Sequence, residues 1–211
     1  MTPREFADKL TDRASSAGCA LNPALVDSLH AYYEILSIWN RKINLTSVNL
    51  RDLPPEAVDR LFIESVAAAQ FTSSEQHVID IGSGGGSPAI PFALAAKSAA
   101  LTMVESRTRK SVFLREAARA VQLPATVVTS RFEEACESRD LQGAFDLLTI
   151  RAVRIDERTL PQLARFVSPN GALLLFQRLP VVLTQTPPEL TDSKFHELTP
   201  TAGLQIWKRG S

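Results

Sequence analysis

The sequence predicts an α/β fold built on a mostly parallel, seven-stranded sheet, with a small helical region in front of it. From residue 77 onward, short apolar runs alternate with amphipathic helical stretches, which is the pattern of successive strand–helix units. The last two apolar runs, 195–198 and 204–207, are separated by a proline and a glycine and indicate a closing antiparallel hairpin. We therefore expect an N-terminal helical region at 1–71 and a Rossmann-like core at 72–211, together forming one compact unit.

The N-terminal region carries helix start and stop signals. Apolar residues at helical spacing predict an amphipathic helix over 3–17. Asn22-Pro23 pairs a capping residue with a first-turn proline and predicts a longer helix that ends near Asn40. Pro54-Pro55 interrupts the chain, and two further helical stretches lead to Phe71.

The core elements follow in alternation. The predicted strands are 77–81, 100–104, 125–130, 145–150 and 172–177, and the predicted helices are 88–97, 107–122, a short one from Phe132, and 156–167. Asn170-Gly171 predicts a turn before the fifth strand. Repeated units of this kind imply a parallel sheet with helices on both faces.

The stretch V-I-D-I-G-S-G-G-G-S-P-A-I-P at 78–91 joins the first predicted strand to a helix. It holds four glycines in five residues, followed by Ser87 as a candidate N-cap and Pro88 in the first helical turn. A glycine turn at a helix N-terminus lets a ligand approach bare backbone. This geometry usually serves a nucleotide-like cofactor.

The glycine spacing distinguishes between cofactors. Ser87 stands where the dinucleotide fingerprint needs its third glycine, which disfavours NAD. The spacing present is G-x-G-x-G, at Gly82, Gly84 and Gly86. With Asp80 before it, this pattern is typical of S-adenosylmethionine (SAM) methyltransferases, and Glu105 at the end of the next strand can accept both ribose hydroxyls of an adenosine. Asp80 as a simple turn cap and Glu105 as a solvated strand end remain alternatives.

Composition narrows the function classes. Lys and Arg number 23 and Asp and Glu number 23, so binding to nucleic acid requires a local basic patch rather than bulk charge. Cys19 and Cys136 have no metal-type spacing, and we expect reduced thiols and no metal. No run is long and apolar enough for a signal peptide or a membrane span. We expect a cytoplasmic monomer without membrane attachment.

Several motifs occur in one order along the chain. They are W-N-R-K-I-N-L-T at 39–46, the glycine stretch at 80–91, V-E-S-R at 104–107 with Arg109-Lys110, S-R-F-E-E at 130–134, and I-R-A at 150–152. From about residue 20 to its end, the chain closely resembles the ribosomal RNA small subunit methyltransferase G family, also called glucose-inhibited division protein B. The resemblance implies methylation of N7 of a guanine in 16S rRNA of the small ribosomal subunit, with SAM as donor and S-adenosylhomocysteine as product.

The resemblance also implies roles for individual residues. The implied cofactor site comprises Asp80, Gly82, Ser83, Gly84, Gly86, Glu105, Ser106, Phe132, Glu133 and Arg151, and the implied catalytic residues are Arg151, Arg131, Asn40 and Arg41. Phe132 and Glu133 would lie beside adenine, and Arg131 and Arg151 would line the place where donor and RNA meet. Asn40 and Arg41 would close the pocket together with Asn44. The alternatives are that Phe132 is plain core, that residues 39–48 are an ordinary helix end, and that Arg109-Lys110 is a solvated helix face.

The implied chemistry needs no histidine. N7 of guanine carries a lone pair and no proton at neutral pH, so no general base has to activate it, and catalysis reduces to positioning. We regard His30, His77 and His196 as incidental, since none lies in a motif.

The chain departs from the family pattern at three places. Leu61 and Glu64 stand where the family usually has histidine and aspartate, and Gln177-Arg178 stands where it usually has Lys-Gly. In the glycine turn, Ser87 and Ala89 stand where a bulkier apolar residue and glycine are usual. These departures leave two alternatives open: a methyltransferase of the same fold that acts on another RNA or a small molecule, and a non-catalytic SAM- or RNA-binding assembly factor.

Overall fold

The computed structural model describes residues 1–151, 159–180 and 189–210, and contains one seven-stranded sheet. Its strands are β1 (His77–Ile81), β2 (Ala100–Val104), β3 (Ala125–Val128), β4 (Phe145–Arg151), β5 (Val167–Arg178), β6 (Leu190–Thr199) and β7 (Ala202–Arg209). The strand order is β3-β2-β1-β4-β5-β7-β6. Strands β1 to β5 pair in parallel, and β7 runs antiparallel to both β5 and β6. The predicted fold class is therefore confirmed.

The helices also follow the predicted order. They are α1 (Pro3–Ser16), α2 (Pro23–Asn40), α3 (Pro55–Val58), α4 (Glu64–Ala69), α5 (Ala89–Ala96), α6 (Thr108–Ala120), α7 (Phe132–Cys136) and α8 (Thr159–Ala164). A π-helical turn at Asp59–Ile63, hereafter the π segment, joins α3 to α4, and a short 3-10 turn spans Arg139–Leu141. Of the predicted helix 156–167, residues 156–158 lie outside the described residues.

Local sequence explains where the first two helices begin. The Thr2 side chain and Glu5 form a reciprocal capping box at α1. The Asn22 side chain accepts the backbone N–H of Leu25 at 2.9 Å, as its position before Pro23 predicts.

Strand boundaries differ from the prediction near Asn170. The turn predicted at Asn170-Gly171 is instead an irregularity inside β5, where Phe145 pairs with Val167 and Leu147 already pairs with Ala172. Asn170 adopts a positive φ of 65° within this bulge. Turn-forming residues therefore bend a continuous strand here, because pairing with β4 on both sides keeps the chain in the sheet.

Alternate residues of the strands supply two hydrophobic clusters, one on each face of the sheet. Val78 belongs to the cluster that also contains residues of α1, α2, α4, α5 and α6. Its neighbour Ile79 belongs to the opposite cluster, which contains residues of α7 and α8 and the fully buried Trp207. The N-terminal helices thus share a core with the sheet rather than building one of their own. None of the helices in the described ranges has the combination of length and apolarity that a bilayer crossing demands.

A buried ion pair fastens α1 to the π segment. Arg13 donates from Nε to Asp59 Oδ1 at 2.8 Å and from Nη2 to Oδ2 at 2.6 Å. The side chain of Asp59 is 8% exposed and that of Arg13 is 23% exposed. Two parallel hydrogen bonds to a planar guanidinium fix the relative orientation of the two helices.

We expect Asp59→Asn to lower the free energy of unfolding by about 2–3 kcal/mol, because it leaves Arg13 without its charged acceptor. Urea denaturation measures the change. Glu137→Gln is the matched control, since Glu137 forms an exposed ion pair with Arg165 at 3.5 Å, and exposed pairs contribute little. Equal, small effects of the two substitutions would contradict this assignment.

Candidate functional site

The glycine turn lies between β1 and α5, at the carboxyl edge of the sheet. Gly82, Gly84 and Gly86 have φ values of 74°, 52° and 86°, a backbone conformation that side chains of L-residues adopt only at a cost. The backbone conformation of the turn therefore favours glycine at these three positions, as the sequence predicts. This edge, outside the carboxyl ends of parallel strands, is where open α/β sheets bind ligands.

Close packing also constrains two glycines of the turn, Gly85 and Gly86. A Cβ atom on Gly85 would lie 3.1 Å from the carbonyl oxygen of Leu45, and one on Gly86 would lie 3.2 Å from the Tyr32 ring. At Gly84 the nearest atoms would be 3.6 Å away or farther. Gly86 therefore leaves room for the Tyr32 ring of α2, and its implied role at the cofactor stays a prediction. Among these three glycines, only Gly84 would hold a Cβ at ordinary van der Waals distance from its neighbours.

The chain that follows α2 folds back onto the glycine turn. Asn40 Oδ1 accepts the backbone N–H groups of Leu45 and Thr46 at 2.9 and 3.0 Å. This arrangement brings buried Leu45 against Gly85, while Tyr32 donates its hydroxyl to the Gly85 carbonyl at 2.5 Å. Residues 39–48 thus pack over the turn, as the functional interpretation of this segment predicts, and Asn40 holds them there.

The other residues expected from this segment face outward. Arg41 and Asn44 are exposed to solvent. Lys42 lies with its ammonium 6.0 Å from the centre of the Trp39 ring. Closure of the pocket by Arg41 and Asn44 therefore stays a prediction.

Asp80 is buried beneath the turn, with 1% of its surface exposed. Its Oδ1 accepts the Thr149 hydroxyl of β4 at 2.6 Å, and its Oδ2 is buried with no hydrogen-bond partner in the described part of the chain. Burial raises the pKa of Asp80 to about 6, against the opposing effects of the Thr149 hydrogen bond and nearby Arg151. An unpaired buried carboxylate oxygen indicates a site that a donor group can complete.

Glu105 connects the glycine turn to the start of α6. Its Oε2 accepts the Gly84 N–H at 2.9 Å, and its Oε1 accepts the Arg107 N–H at 2.8 Å. Glu105 is only 7% exposed, so the alternative of a solvated strand end is wrong. A carboxylate has about four acceptor positions, and these two bonds leave others available. The neighbouring Ser106 is exposed, with its hydroxyl 3.5 Å from Oε1.

Arg151 ends β4 at the level of the glycine turn. Ile150 pairs with Ile81, so Arg151 stands beside Gly82, the first residue of the turn. The residue is buried, and burial lowers the pKa of its guanidinium while the Glu64 carboxylate acts in the opposite direction. A buried cation at this edge requires dedicated partners.

Those partners come from three directions. Arg151 Nη2 lies 2.8 Å from Glu64 Oε2, and the two side chains are 6% and 7% exposed. Nη1 donates to the Arg60 carbonyl at 2.5 Å and lies 3.4 Å from the Ser87 hydroxyl. The guanidinium carbon is 4.7 Å from the centre of the Phe176 ring. Arg151 therefore joins β4, β5, the glycine turn and the π segment.

Ser87 has a different partner from the one predicted. Helix α5 begins at Ala89 without a side-chain cap, so Ser87 as N-cap is wrong. Its hydroxyl instead donates to the carbonyls of Arg60 and Leu61, at 3.2 and 3.0 Å. Both carbonyls belong to the π segment. No pattern in the sequence points to this contact between Ser87 and the π segment, although Leu61 and Glu64 depart from the family pattern there.

The residues expected beside adenine follow β3. Arg131 and Glu133 are exposed, and Phe132 is half-buried against the cluster that contains α7 and α8. Within the described ranges, no hydrogen bond or ion pair connects Arg131 or Glu133 to the glycine turn. The structure thus brings Asp80, Glu105 and Arg151 together around the turn and places the 131–133 group on the adjacent strand end.

The other charged and histidine side chains complete the surroundings. The Lys110 ammonium would lie 3.9 Å from a Cβ on Gly84, so Lys110 borders the turn, while Arg109 is exposed. His30 packs against Phe6 and Tyr33, and His196 stacks on Phe71. Nowhere among the described residues do three or more His, Cys, Asp or Glu side chains lie together as a metal site would require.

Solved structures share this architecture. A putative O-methyltransferase from Klebsiella pneumoniae matches with a TM-score of 0.56 at 16% identity, over 91% of this chain and 92% of that chain. The M. jannaschii TYW2 in complex with AdoMet matches with a TM-score of 0.52 at 16% identity, over 70% of this chain and 74% of that one. At such identities the likeness is one of fold.

Sequence relatives are closer. Ribosomal RNA small subunit methyltransferase G of Sorangium cellulosum (strain So ce56) is 33% identical over 179 residues, which are 83% of this chain and 72% of the relative. The protein of the same name from Stenotrophomonas maltophilia (strain K279a) is 34% identical over 172 residues, 82% of this chain and 77% of the relative. The family model described as rRNA small subunit methyltransferase G matches residues 25–179. The chain therefore belongs to the rRNA small subunit methyltransferase G family.

Proposed function

We propose that this protein transfers a methyl group from SAM to N7 of a guanine in the 16S rRNA of the small ribosomal subunit. The observation that carries the proposal is the buried Glu105 carboxylate, which is hydrogen-bonded to the glycine turn and retains free acceptor positions. Membership in the rRNA small subunit methyltransferase G family supports the same activity.

The residues around the turn fit a cationic adenosine cofactor. Glu105 offers carboxylate acceptors to the ribose hydroxyls, and it is tied to the glycine turn through the Gly84 N–H. Asp80 offers a buried, unpaired carboxylate oxygen to an N–H or O–H donor. Phe132 and Glu133 are proposed for the adenine end. When bound, SAM would supply an electrophilic methyl carbon.

The reaction requires little of the protein beyond positioning. The N7 lone pair forms the new N–C bond while the S–C bond breaks, and the electron pair of the broken S–C bond stays on sulfur. No proton is released, so the chain needs no general base. The positive charge moves from sulfur to the purine ring. The protein must therefore align N7 with the methyl group and keep unpaired cations away from the base.

Several exposed cations lie on chain segments that flank the turn, and they suit an RNA acceptor. Arg41 and Lys42 lie on the segment that packs over the turn, Arg107 and Arg109 lie at the start of α6, and Arg131 follows β3. The whole chain has no net charge, so this grouping provides the local patch that phosphate binding requires. N7 faces the deep, narrow major groove of A-form RNA, and we propose that the target guanine is unpaired or opened out.

The departures from the family pattern do not all bear on the acceptor. Leu61 is buried in the core, and Glu64 pairs with Arg151. Arg178 is exposed at the carboxyl end of β5, on the edge where the site lies. The second candidate, transfer to another RNA, depends on this position, because an altered side chain there can change acceptor contacts.

We expect purified protein and labelled SAM to label 16S rRNA at one guanine N7, in small subunits or RNA from a strain that lacks this modification. Mass mapping of RNA fragments locates the product. Subunits from a strain that carries the modification are the control and should take up no label. Label on another RNA would favour the second candidate, and SAM binding without transfer to any RNA would favour a non-catalytic assembly factor.

Glu105→Gln should weaken SAM binding by roughly ten- to hundredfold, because hydrogen bonds to a carboxylate are replaced by bonds to a neutral amide. Isothermal titration calorimetry measures the dissociation constant. Glu137→Gln, far from the turn in the chain and exposed, should bind SAM as the wild type does. Unchanged affinity in Glu105→Gln would remove Glu105 from the cofactor site.

The pKa of Asp80 predicts a pH dependence of SAM binding. A raised pKa of about 6 means that most Asp80 is ionised at pH 7 and most is protonated at pH 5. If the ionised form binds the cationic cofactor, affinity should be roughly tenfold weaker at pH 5 than at pH 7. Asp80→Asn should show weak binding with a flat profile over this range. The same slope in both proteins would assign the titration to another group.

A further inference from the structure

A buried ion pair of opposite charges lies beside the proposed cofactor site. Arg151 stands next to Gly82 at the end of β4, and Glu64 Oε2 is 2.8 Å from its Nη2. Arg151 also interacts electrostatically with Asp80 beneath the turn. The charge state of this pair therefore acts directly on whatever occupies the turn.

The charge state of this pair matters for binding because the proposed methyl donor is itself charged. SAM carries a positive sulfonium, whereas S-adenosylhomocysteine, the product left after transfer, has a neutral sulfur. An unpaired guanidinium in a buried site would repel the sulfonium, because Coulomb interactions are strong where water is excluded. A neutral Arg151–Glu64 pair removes most of this repulsion.

We propose that Glu64 is a positioning residue that neutralises and orients Arg151, so that the site accepts a cationic donor and discriminates it from the neutral product. This proposal rests on the SAM site proposed above. It assigns an electrostatic function to Glu64, which stands where the family usually has aspartate.

The geometry distinguishes this pair from one that only holds the fold together. Asp59 is the first residue of the π segment, and Glu64 directly follows that segment. Both residues are buried, and each pairs with an arginine. Asp59 faces Arg13 of α1, whereas Glu64 faces Arg151 at the carboxyl edge of the sheet. Asp59→Asn is therefore a matched control for the loss of a buried ion pair.

The test compares dissociation constants of SAM and S-adenosylhomocysteine, measured by isothermal titration calorimetry at low salt. Glu64→Gln should weaken the binding of SAM relative to that of S-adenosylhomocysteine by roughly tenfold, because an unpaired guanidinium then acts on the sulfonium in a buried site. Arg151→Gln should shift the ratio in the opposite direction, because Glu64 is then unpaired. The double variant Glu64→Gln/Arg151→Gln should restore the wild-type ratio, and Glu64→Asp should keep it.

Each outcome decides the question. A ratio that stays at the wild-type value in Glu64→Gln, or that shifts equally in Asp59→Asn, would overturn the proposal. The two single variants are expected to shift the ratio in opposite directions. One single variant that circular dichroism shows to be folded is therefore sufficient for the test. If neither folds, a shifted ratio in the double variant overturns the proposal and an unchanged ratio supports it. Failure of the wild type to bind either compound would instead overturn the proposed function.

Discussion

Burial of the Arg151 guanidinium is the constraint on which the arrangement of this site depends. A cation at the end of β4 needs a carboxylate and carbonyl acceptors, and the chain supplies them from the N-terminal region through Glu64 and Arg60. Arg60 lies in the π segment, and Glu64 directly follows it as the first residue of α4. The N-terminal helices are therefore part of the site, and they share one hydrophobic core with the sheet.

The glycine turn is shaped from two sides by this arrangement. From beneath, Asp80 and Glu105 offer carboxylates, and Glu105 hydrogen-bonds the Gly84 backbone. From above, Tyr32 and the segment held by Asn40 pack against Gly85 and Gly86. One run of glycines thus meets two demands, a backbone hydrogen bond to Glu105 at Gly84 and close protein packing at Gly85 and Gly86. A substitution in this run is expected to act on folding or on ligand binding according to its position.

The charged groups of the site suit a methyl transfer from a sulfonium. A methyl transfer from a sulfonium moves positive charge through the pocket without releasing a proton, so the protein gains from paired charges and acceptors rather than from a base. The Arg151–Glu64 pair and the carboxylates of Asp80 and Glu105 fit that requirement. Arg41, Arg107 and Arg131 are exposed, and they are proposed to meet RNA phosphates.

The sequence by itself determined the fold class, the glycine turn and the acid after β2, because these follow from local periodicity, glycine spacing and strand order. It also indicated the family, through motifs in a fixed order. Only the tertiary structure decided the partners of Ser87, the bulge at Asn170 and the pairing of Glu64 with Arg151. The last of these joins residues 87 positions apart in the chain, and periodicity carries no information about such contacts. They depend on how the π segment, the turn and β4 meet, which packing alone determines.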